Sequence, residues 1–181
     1  MENMHQNDQT LIDSIRSGDQ KAVRQLYEKQ ESYWFRLCLR YSRNRNEAQD
    51  IFQEGVAKVF RNIKQFDPER GSFNAWSNRV IINAALQYLK KYQWQQAFED
   101  LEMAKGEIDL SVDILEQITA KELIYLIQKL PAGYRMVFNL HEIEGYSHKE
   151  IAEILNIKVG TSKSQLSKAK KILQQQLNIL F

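Results

Sequence analysis

The sequence is poor in the residues that make turns, bridges and membrane spans. It has 7 glycines and 2 prolines in 181 residues, too few for an all-β chain, which turns roughly every 8–12 residues. Cys38 is the single cysteine, which excludes an internal disulfide and a four-cysteine zinc site. No apolar run approaches the ~18 residues that span a bilayer. The opening MENMHQNDQT has neither the basic nor the apolar stretch of a secretion signal. The expectation is an all-α protein working in a reducing cytoplasm. Catalytic signatures are missing too: there is no glycine-rich phosphate loop and no Ser-His-Asp or Cys-His arrangement. His141-Glu142 with His148 approaches the zinc motif H-E-x-x-H. However, the second histidine comes seven residues after the first rather than four, and Gly145 interrupts the helix. No enzymatic activity, cofactor, metal or small-molecule substrate is expected.

What is present is apolar enough, at 43%, for a packed core, and its charge is unevenly spread. Residues 1–94 hold 15 Lys+Arg against 11 Asp+Glu, residues 95–120 hold 1 against 7, and residues 121–181 hold 9 against 5. Two basic blocks flanking an acidic connector predict two small helical domains, 1–94 and 121–181, joined by an acidic linker, 95–120. That distribution suits a nucleic-acid binder better than the net charge of +2 does. Scattered apolar residues from Leu101 to Leu115 leave room for some helix in the connector.

In the first block, Leu11, Ile12 and Ile15 end at Ser17-Gly18, a helix stop. Asp19 then caps a longer helix with Ala22, Val23, Leu26, Tyr27, Tyr33, Trp34, Leu37 and Tyr41 at helical spacing. Trp34, Phe35 and Cys38 are expected in its core. Asn46 with Gln49 resembles a capping box for the next helix, whose Phe52, Val56, Val59, Phe60 and Ile63 face inward. Asp50, Gln53, Glu54, Ala57 and Arg61 share the opposite, polar side. FDPERG breaks the chain, and Ser72 caps a helix whose Val80, Ile81, Ala84, Ala85, Tyr88 and Leu89 form a broad apolar side. The narrow remainder is a stripe of Trp76, Arg79, Asn83, Gln87 and Lys90. Amides read base edges, cations hold phosphates and an indole stacks on unpaired bases.

The second block opens with a helix over Lys121–Leu130, apolar at Leu123, Ile124, Ile127 and Leu130. Pro131 begins another with Met136, Val137, Leu140 and Ile143, ended by Gly145. Ser147 with Glu150 forms a capping box for a short helix with Ile151, Ala152 and Leu155 inside. Asn156 suits a left-handed turn pinned by Ile157 and Val159, and Gly160-Thr161 starts the last helix. This pattern is a helix-turn-helix. In the last helix Leu166, Ala169 and Leu173 point inward, while Lys163, Ser164, Ser167, Lys170 and Lys171 point out and Lys168 lies at the edge. With Thr161, the short hydroxyls near the start suit base contact and the lysines suit phosphate contact.

Three stretches, EAQDIFQEGVAKVF, FDPERGSFNAWSNRVIIN and LPAGYRMVFNLHEIEGYSHKEIAEILNIKVGTSKSQLSKAKKIL, resemble the bacterial extracytoplasmic-function (ECF) sigma factors, the small sigma-70 relatives with regions 2 and 4 only. The resemblance implies a four-helix region 2 and a helix-turn-helix region 4. It also implies binding to core RNA polymerase, direction of polymerase to promoter DNA, and help in melting the start site. Asp50, Gln53 and Glu54 fall on the family's D-x-x-Q-E, which docks on polymerase. Arg79 and Asn83 match R-x-x-x-N, with Asn83 where the family reads the non-template strand of the −10 element. Phe66–Ser72 with Phe73 and Trp76 corresponds to the segment that captures a flipped base, and the last helix to the reader of the −35 element. Gln87 stands where the family commonly has an acid, and Lys163, Gln165, Lys168 and Lys170 where it commonly has arginine. Lysine lacks the bidentate fork that reads guanine, so −35 recognition is expected to lean on phosphates and DNA shape. Ser162 replaces a usual aliphatic on the buried side. An anti-sigma protein is a further candidate partner, and the acidic linker is expected to mimic RNA and restrain DNA binding by the free protein. Two rivals account for less of the chain. A duplex-binding helix-turn-helix regulator leaves the Asp50 face and the Trp76–Asn83 stripe idle, and a protein that occupies polymerase without initiating would yield no transcript.

Overall fold

The computed structural model describes residues 2–92 and 119–180, and these are helical with no strand among them. The expected connector helix and the linker's expected role lie outside the described residues. The chain divides into two compact units, 1–88 and 89–181.

The first unit starts with α1 (Glu2–Arg16) and α2 (Gln20–Tyr41). Gly18 at φ 95° ends α1, and the Asp19 side chain accepts the Lys21 backbone N–H to start α2, as the sequence predicts. Trp34, Cys38 and Tyr41 are fully buried. Burial pushes the Cys38 thiol up to about 12, leaving it protonated and inert at neutral pH. Phe35 and Phe52, expected in the core, are half-buried and pack edge to face at 5.6 Å, with the Arg45 guanidinium 5.0 Å above Phe35.

The third helix, α3 (Arg45–Asn62), begins earlier than expected because its cap is Asn44 rather than Asn46. The Asn44 side chain accepts the Glu47 N–H, and Glu47 reaches back to the Arg43 N–H. Two short 3₁₀ turns, Ile63–Gln65 and Pro68–Arg70, then lead to α4 (Phe73–Tyr92). Ser72 is its N-cap, as expected, accepting the Ala75 N–H at 3.2 Å. The buried side of α4 is wider than its expected apolar set, taking in Ile82, Leu86 and Ser77. Only a narrow sector remains exposed.

The helices α3 and α4 meet at Gly55, where an added Cβ would lie 3.2 Å from Ile81 Cγ1. A glycine inside a helix costs ~1 kcal/mol relative to alanine; here it permits the close approach. Gly55→Leu is expected to destabilise the first unit by about 1–3 kcal/mol through overpacking. Chemical denaturation of the full chain checks this, and an unchanged midpoint would show that the approach is not tight.

The second unit holds α5 (Ala120–Lys129), α6 (Ala132–Phe138), a π-turn (Asn139–Ile143), α7 (His148–Leu155) and α8 (Val159–Leu180). A capping box of Thr119 and Glu122 starts α5 one residue before the expected Lys121. Its core joins Leu126, Ile127, Leu130 and Tyr134 to Ala169, Leu173 and Leu177 of α8. Arg135 is fully buried, its Nη1 donating to the Gln128 and Leu130 carbonyls at 3.0 Å each, so it satisfies the end of α5.

One continuous helix was expected up to Gly145, but it loosens into the π-turn. Asn139 is buried, and its Nδ2 donates to the Arg135 carbonyl at 2.8 Å. A side chain bonding to its own helix backbone competes with the regular ladder there.

Candidate nucleic-acid and polymerase interfaces

Asp50, Gln53 and Glu54 are all exposed on α3. Beside them, Tyr88 of α4 donates to Asp50 Oδ2 at 3.2 Å, and Lys58 pairs with Glu54 at 3.1 Å. The α4 stripe leaves Arg79, Asn83, Gln87 and Lys90 exposed and Trp76 half-buried. Within the first unit, the carboxylate face and the stripe as far as Gln87 are therefore neighbours, joined by the Tyr88–Asp50 and Lys58–Gln87 side-chain bonds.

Helix α2 anchors the other end of the stripe. Gln30 donates to Asn74 Oδ1 at 2.9 Å, Trp34 Nε1 to Ser77 Oγ at 3.3 Å, and Asn78 Nδ2 to the Tyr33 hydroxyl at 2.7 Å. The three contacts, spread over α4 residues 74–78, hold the first turns of α4 in register against α2.

At that end a cavity of about 230 Å³ opens between the 3₁₀ turns and α4, lined by Phe66, Asp67, Arg70, Gly71, Trp76 and Arg79 among others. Asp67 caps the Pro68–Arg70 turn and pairs with Arg70 at 3.2 Å. Gly71, at φ 141°, takes a backbone conformation that L side chains rarely adopt. Phe66, Phe73 and Trp76 pack with ring centroids 5.5–5.7 Å apart. Phe73, expected at the DNA surface, is instead 97% buried, against Trp34 at 6.4 Å as well. The Ser72 cap turns Phe73 inward on the first turn of α4, so it serves as a floor beneath Trp76. Sequence reasoning missed Arg16, whose Nη2 donates to the Ile63 and Phe66 carbonyls and so ties α1 to the pocket wall. No local pattern could have flagged a contact across 50 residues.

In the second unit both capping-box hydrogen bonds of Ser147 and Glu150 are present, and Asn156 is left-handed at φ 54°, ψ 50°. Val159, expected to pin the turn, is exposed, and Ile157 is half-buried. Leu166, Ala169 and Leu173 are buried, as expected. Lys163 and Ser164 are exposed, whereas Thr161, Ser167, Lys168, Lys170 and Lys171 are half-buried.

Lys170 differs from the expectation of an outward phosphate ligand, because it pairs with Glu142 of the π-turn at 3.1 Å. Gln165 is 1% exposed against Gly133, and its amide atoms have no hydrogen-bond partner. Ser162 is fully buried and bonded to His148 Nδ1 at 2.9 Å, which accounts for a hydroxyl in an otherwise apolar place. The π-turn also stacks His141 on His148, with centroids 4.5 Å apart. Among the described residues no metal-binding cluster forms.

Burial and the positive charges of His141, Lys163 and Lys170 lower the His148 pKa, with Glu142 opposing. For Glu142, burial alone would raise the carboxyl, but the bonds and charges of Lys170 and His141 outweigh it and hold it low. A histidine with a depressed folded pKa is neutral in both states at pH 7.5. As pH falls through its unfolded value near 6.5, the unfolded chain takes up the proton first, and stability is lost. The melting temperature of the second unit is expected to fall between pH 7.5 and 5.5, with a smaller fall in His148→Asn. An identical slope in the variant would exclude His148 as the source.

A four-helix unit followed by a helix-turn-helix unit is the architecture of sigma-70 type initiation factors. Residues 26–95 match the family described as Sigma-70 region 2, and residues 120–173 match Sigma-70, region 4. The chain is 32% identical over 181 residues to the ECF RNA polymerase sigma factor SigW of Bacillus subtilis, covering 93% of this chain and 96% of that protein. It is 27% identical to the ECF RNA polymerase sigma-E factor of Haemophilus influenzae, covering 96% of each. Among solved structures, CnrH in complex with the cytosolic domain of CnrY has a TM-score of 0.51 at 21% identity, covering 95% of this chain and 97% of that one. The sigma factor RpoE in complex with the anti-sigma factor NepR, from Bartonella quintana, has a TM-score of 0.52 at 19% identity, covering 86% and 96%. The two solved structures share the fold; the family follows from the sequence matches. The chain belongs to the ECF sigma factors, and its function is in transcription initiation. The duplex-only regulator is not favoured.

Proposed function

We propose that residues 1–94 dock on core RNA polymerase and open the −10 element, while residues 121–181 hold the −35 duplex. The docking surface is Asp50, Gln53 and Glu54. Arg79, Asn83, Gln87 and Lys90 follow the displaced non-template strand, and the pocket under Trp76 takes an unstacked base. Unstacking costs a few kcal/mol, least for weakly paired steps, so capture and recognition are one event. Thr161, Ser164 and Ser167 approach base edges of the −35 element, and Lys163, Lys168 and Lys171 hold phosphates, with Lys170 released from Glu142 to join them. The protein acts by binding, without chemistry of its own, and works in the cytoplasm with polymerase. An anti-sigma protein would restrain it by covering one of these surfaces.

The observation that carries this reading is the adjacency, on one helical unit, of the α3 carboxylates, the α4 residues Arg79, Asn83 and Gln87, and a pocket lined by Phe66 and Trp76. Run-off transcription with purified core enzyme on fragmented genomic DNA tests it. Specific start sites from naked promoter DNA are expected, and their absence would leave only a duplex-binding or polymerase-occupying protein.

With lysines in place of forked guanidinium groups, −35 binding should be strongly salt-dependent. Three to four phosphate contacts give a slope of log K against log salt of roughly −3 to −4. Titration of a −35 duplex between 50 and 200 mM salt checks this, and a slope near zero would reject phosphate-led recognition.

A further inference from the structure

We propose that Lys58 sets the base preference of Gln87, making that amide a hydrogen-bond donor toward the −10 strand. This rests on the reading of α4 as the strand-reading surface.

Lys58 lies on α3 with its side chain 25% exposed, between Glu54 at 3.1 Å and Gln87 Oε1 at 2.7 Å. An ammonium has three donors and no acceptor, so the atom of Gln87 that it meets must be the carbonyl oxygen. The orientation of this amide, ambiguous for most glutamines, is therefore chosen chemically. Gln87 is exposed on α4, one turn beyond Asn83. Lys58 takes one of the two lone pairs of that oxygen and draws it toward α3, so the Nε2–H groups are what Gln87 presents outward to a ligand. On the edge that each base shows in the major groove, such a donor meets thymine O4, guanine O6 and N7 or adenine N7, whereas cytosine offers only its N4 amino group.

Glu54 holds Lys58 from the other side. The chain Glu54–Lys58–Gln87 therefore runs from the proposed polymerase face to the proposed DNA stripe. Lys58 contacts neither partner in this scheme: it is a positioning residue, and Gln87 is the one that touches DNA.

The test uses holoenzyme reconstituted from core polymerase and the full chain, selecting ligands from a randomised single-stranded DNA pool. The wild type is expected to yield a motif with one position depleted of cytosine, by roughly three- to tenfold, the range of one neutral hydrogen bond. Lys58→Met frees the Gln87 oxygen and should level that single position, leaving the rest of the motif in place. Lys58→Arg, which keeps the donor, should restore the restriction, an outcome that loss of folding could not produce. Gln87→Glu leaves only acceptors at this site and should invert the preference toward cytosine, whose N4 amino group donates on that edge. A motif that survives Lys58→Met unchanged, or no inversion with Gln87→Glu, overturns the proposal while leaving strand reading by α4 intact. A wild-type pool with no motif at all overturns that broader reading, and this role with it.

Discussion

Replacing Trp76 with alanine is expected to weaken binding of a single-stranded −10 oligonucleotide to the holoenzyme by roughly five- to 150-fold, the equivalent of ~1–3 kcal/mol for one stacked base. The indole is half-buried, resting on Phe66 and Phe73 at 5.7 Å each, so one face is braced while the pocket stays open beside it. Truncation removes the stacking surface and unroofs the two phenylalanines together. Trp76→Phe, which keeps an aromatic face on the same floor, is expected to recover most of the loss. An oligonucleotide lacking the captured base separates recognition from general loosening. Wild type and Trp76→Ala should bind that abasic strand with similar affinity. Equal losses on the intact and abasic strands would show that Trp76 supports the fold and does not grip a base. Affinity for core enzyme and for the −35 duplex should not change, because the substitution touches neither surface.

Reversing charge on α3, with Asp50→Lys and Glu54→Lys together, should have a comparably large effect on a different partner. Close charge pairs across interfaces couple by ~1.5–7 kcal/mol, so losing two and adding like-charge repulsion should weaken core polymerase binding by roughly 100-fold or more. Within the free protein the cost is small: Asp50 loses one bond from Tyr88, and Glu54 loses an exposed pair with Lys58. Exposed pairs of this kind are worth ~0–1 kcal/mol. The variant should therefore keep its helical signal and its melting temperature to within a few degrees. Co-elution with core enzyme and fluorescence titration measure the loss, and Glu54→Gln should fall between wild type and the reversal. Retained core binding in the double variant would move the docking surface elsewhere.

These two experiments cut the molecule at different links, since Trp76→Ala should spare core binding and the charge reversal should spare base capture at Trp76. The α3 face and the α4 stripe touch through Asp50–Tyr88 and Lys58–Gln87. The two effects are thus expected to be separable but not perfectly additive, as for residues within one bonded network.

Much of this architecture is written locally. The stop at Gly18, the caps at Asp19, Ser72 and Ser147, and the left-handed Asn156 each depend on a few neighbouring residues, and periodicity alone separates the exposed α4 stripe from its buried side. The polar α3 face stands out in the same way, and its meaning came from the family resemblance. Sequence reasoning erred where a side chain had a choice of partners. Asn44 and Asn46 are both competent caps, and only packing selected the first. Asn139 could have extended a regular helix, but once buried its amide took the Arg135 carbonyl and opened the π-turn.

What the sequence by itself determined, then, is which helices form and which faces they show to solvent, because helix caps and apolar spacing act within a turn or two of the chain. Tertiary structure alone decided that Phe73 packs on Trp34, that Lys170 is held by Glu142, that Arg16 braces the pocket wall, and that Lys58 takes the oxygen of Gln87. Each of those outcomes is a bond or a contact between residues far apart in sequence, and no repeat or spacing encodes which distant atom will lie within three ångströms of a given side chain.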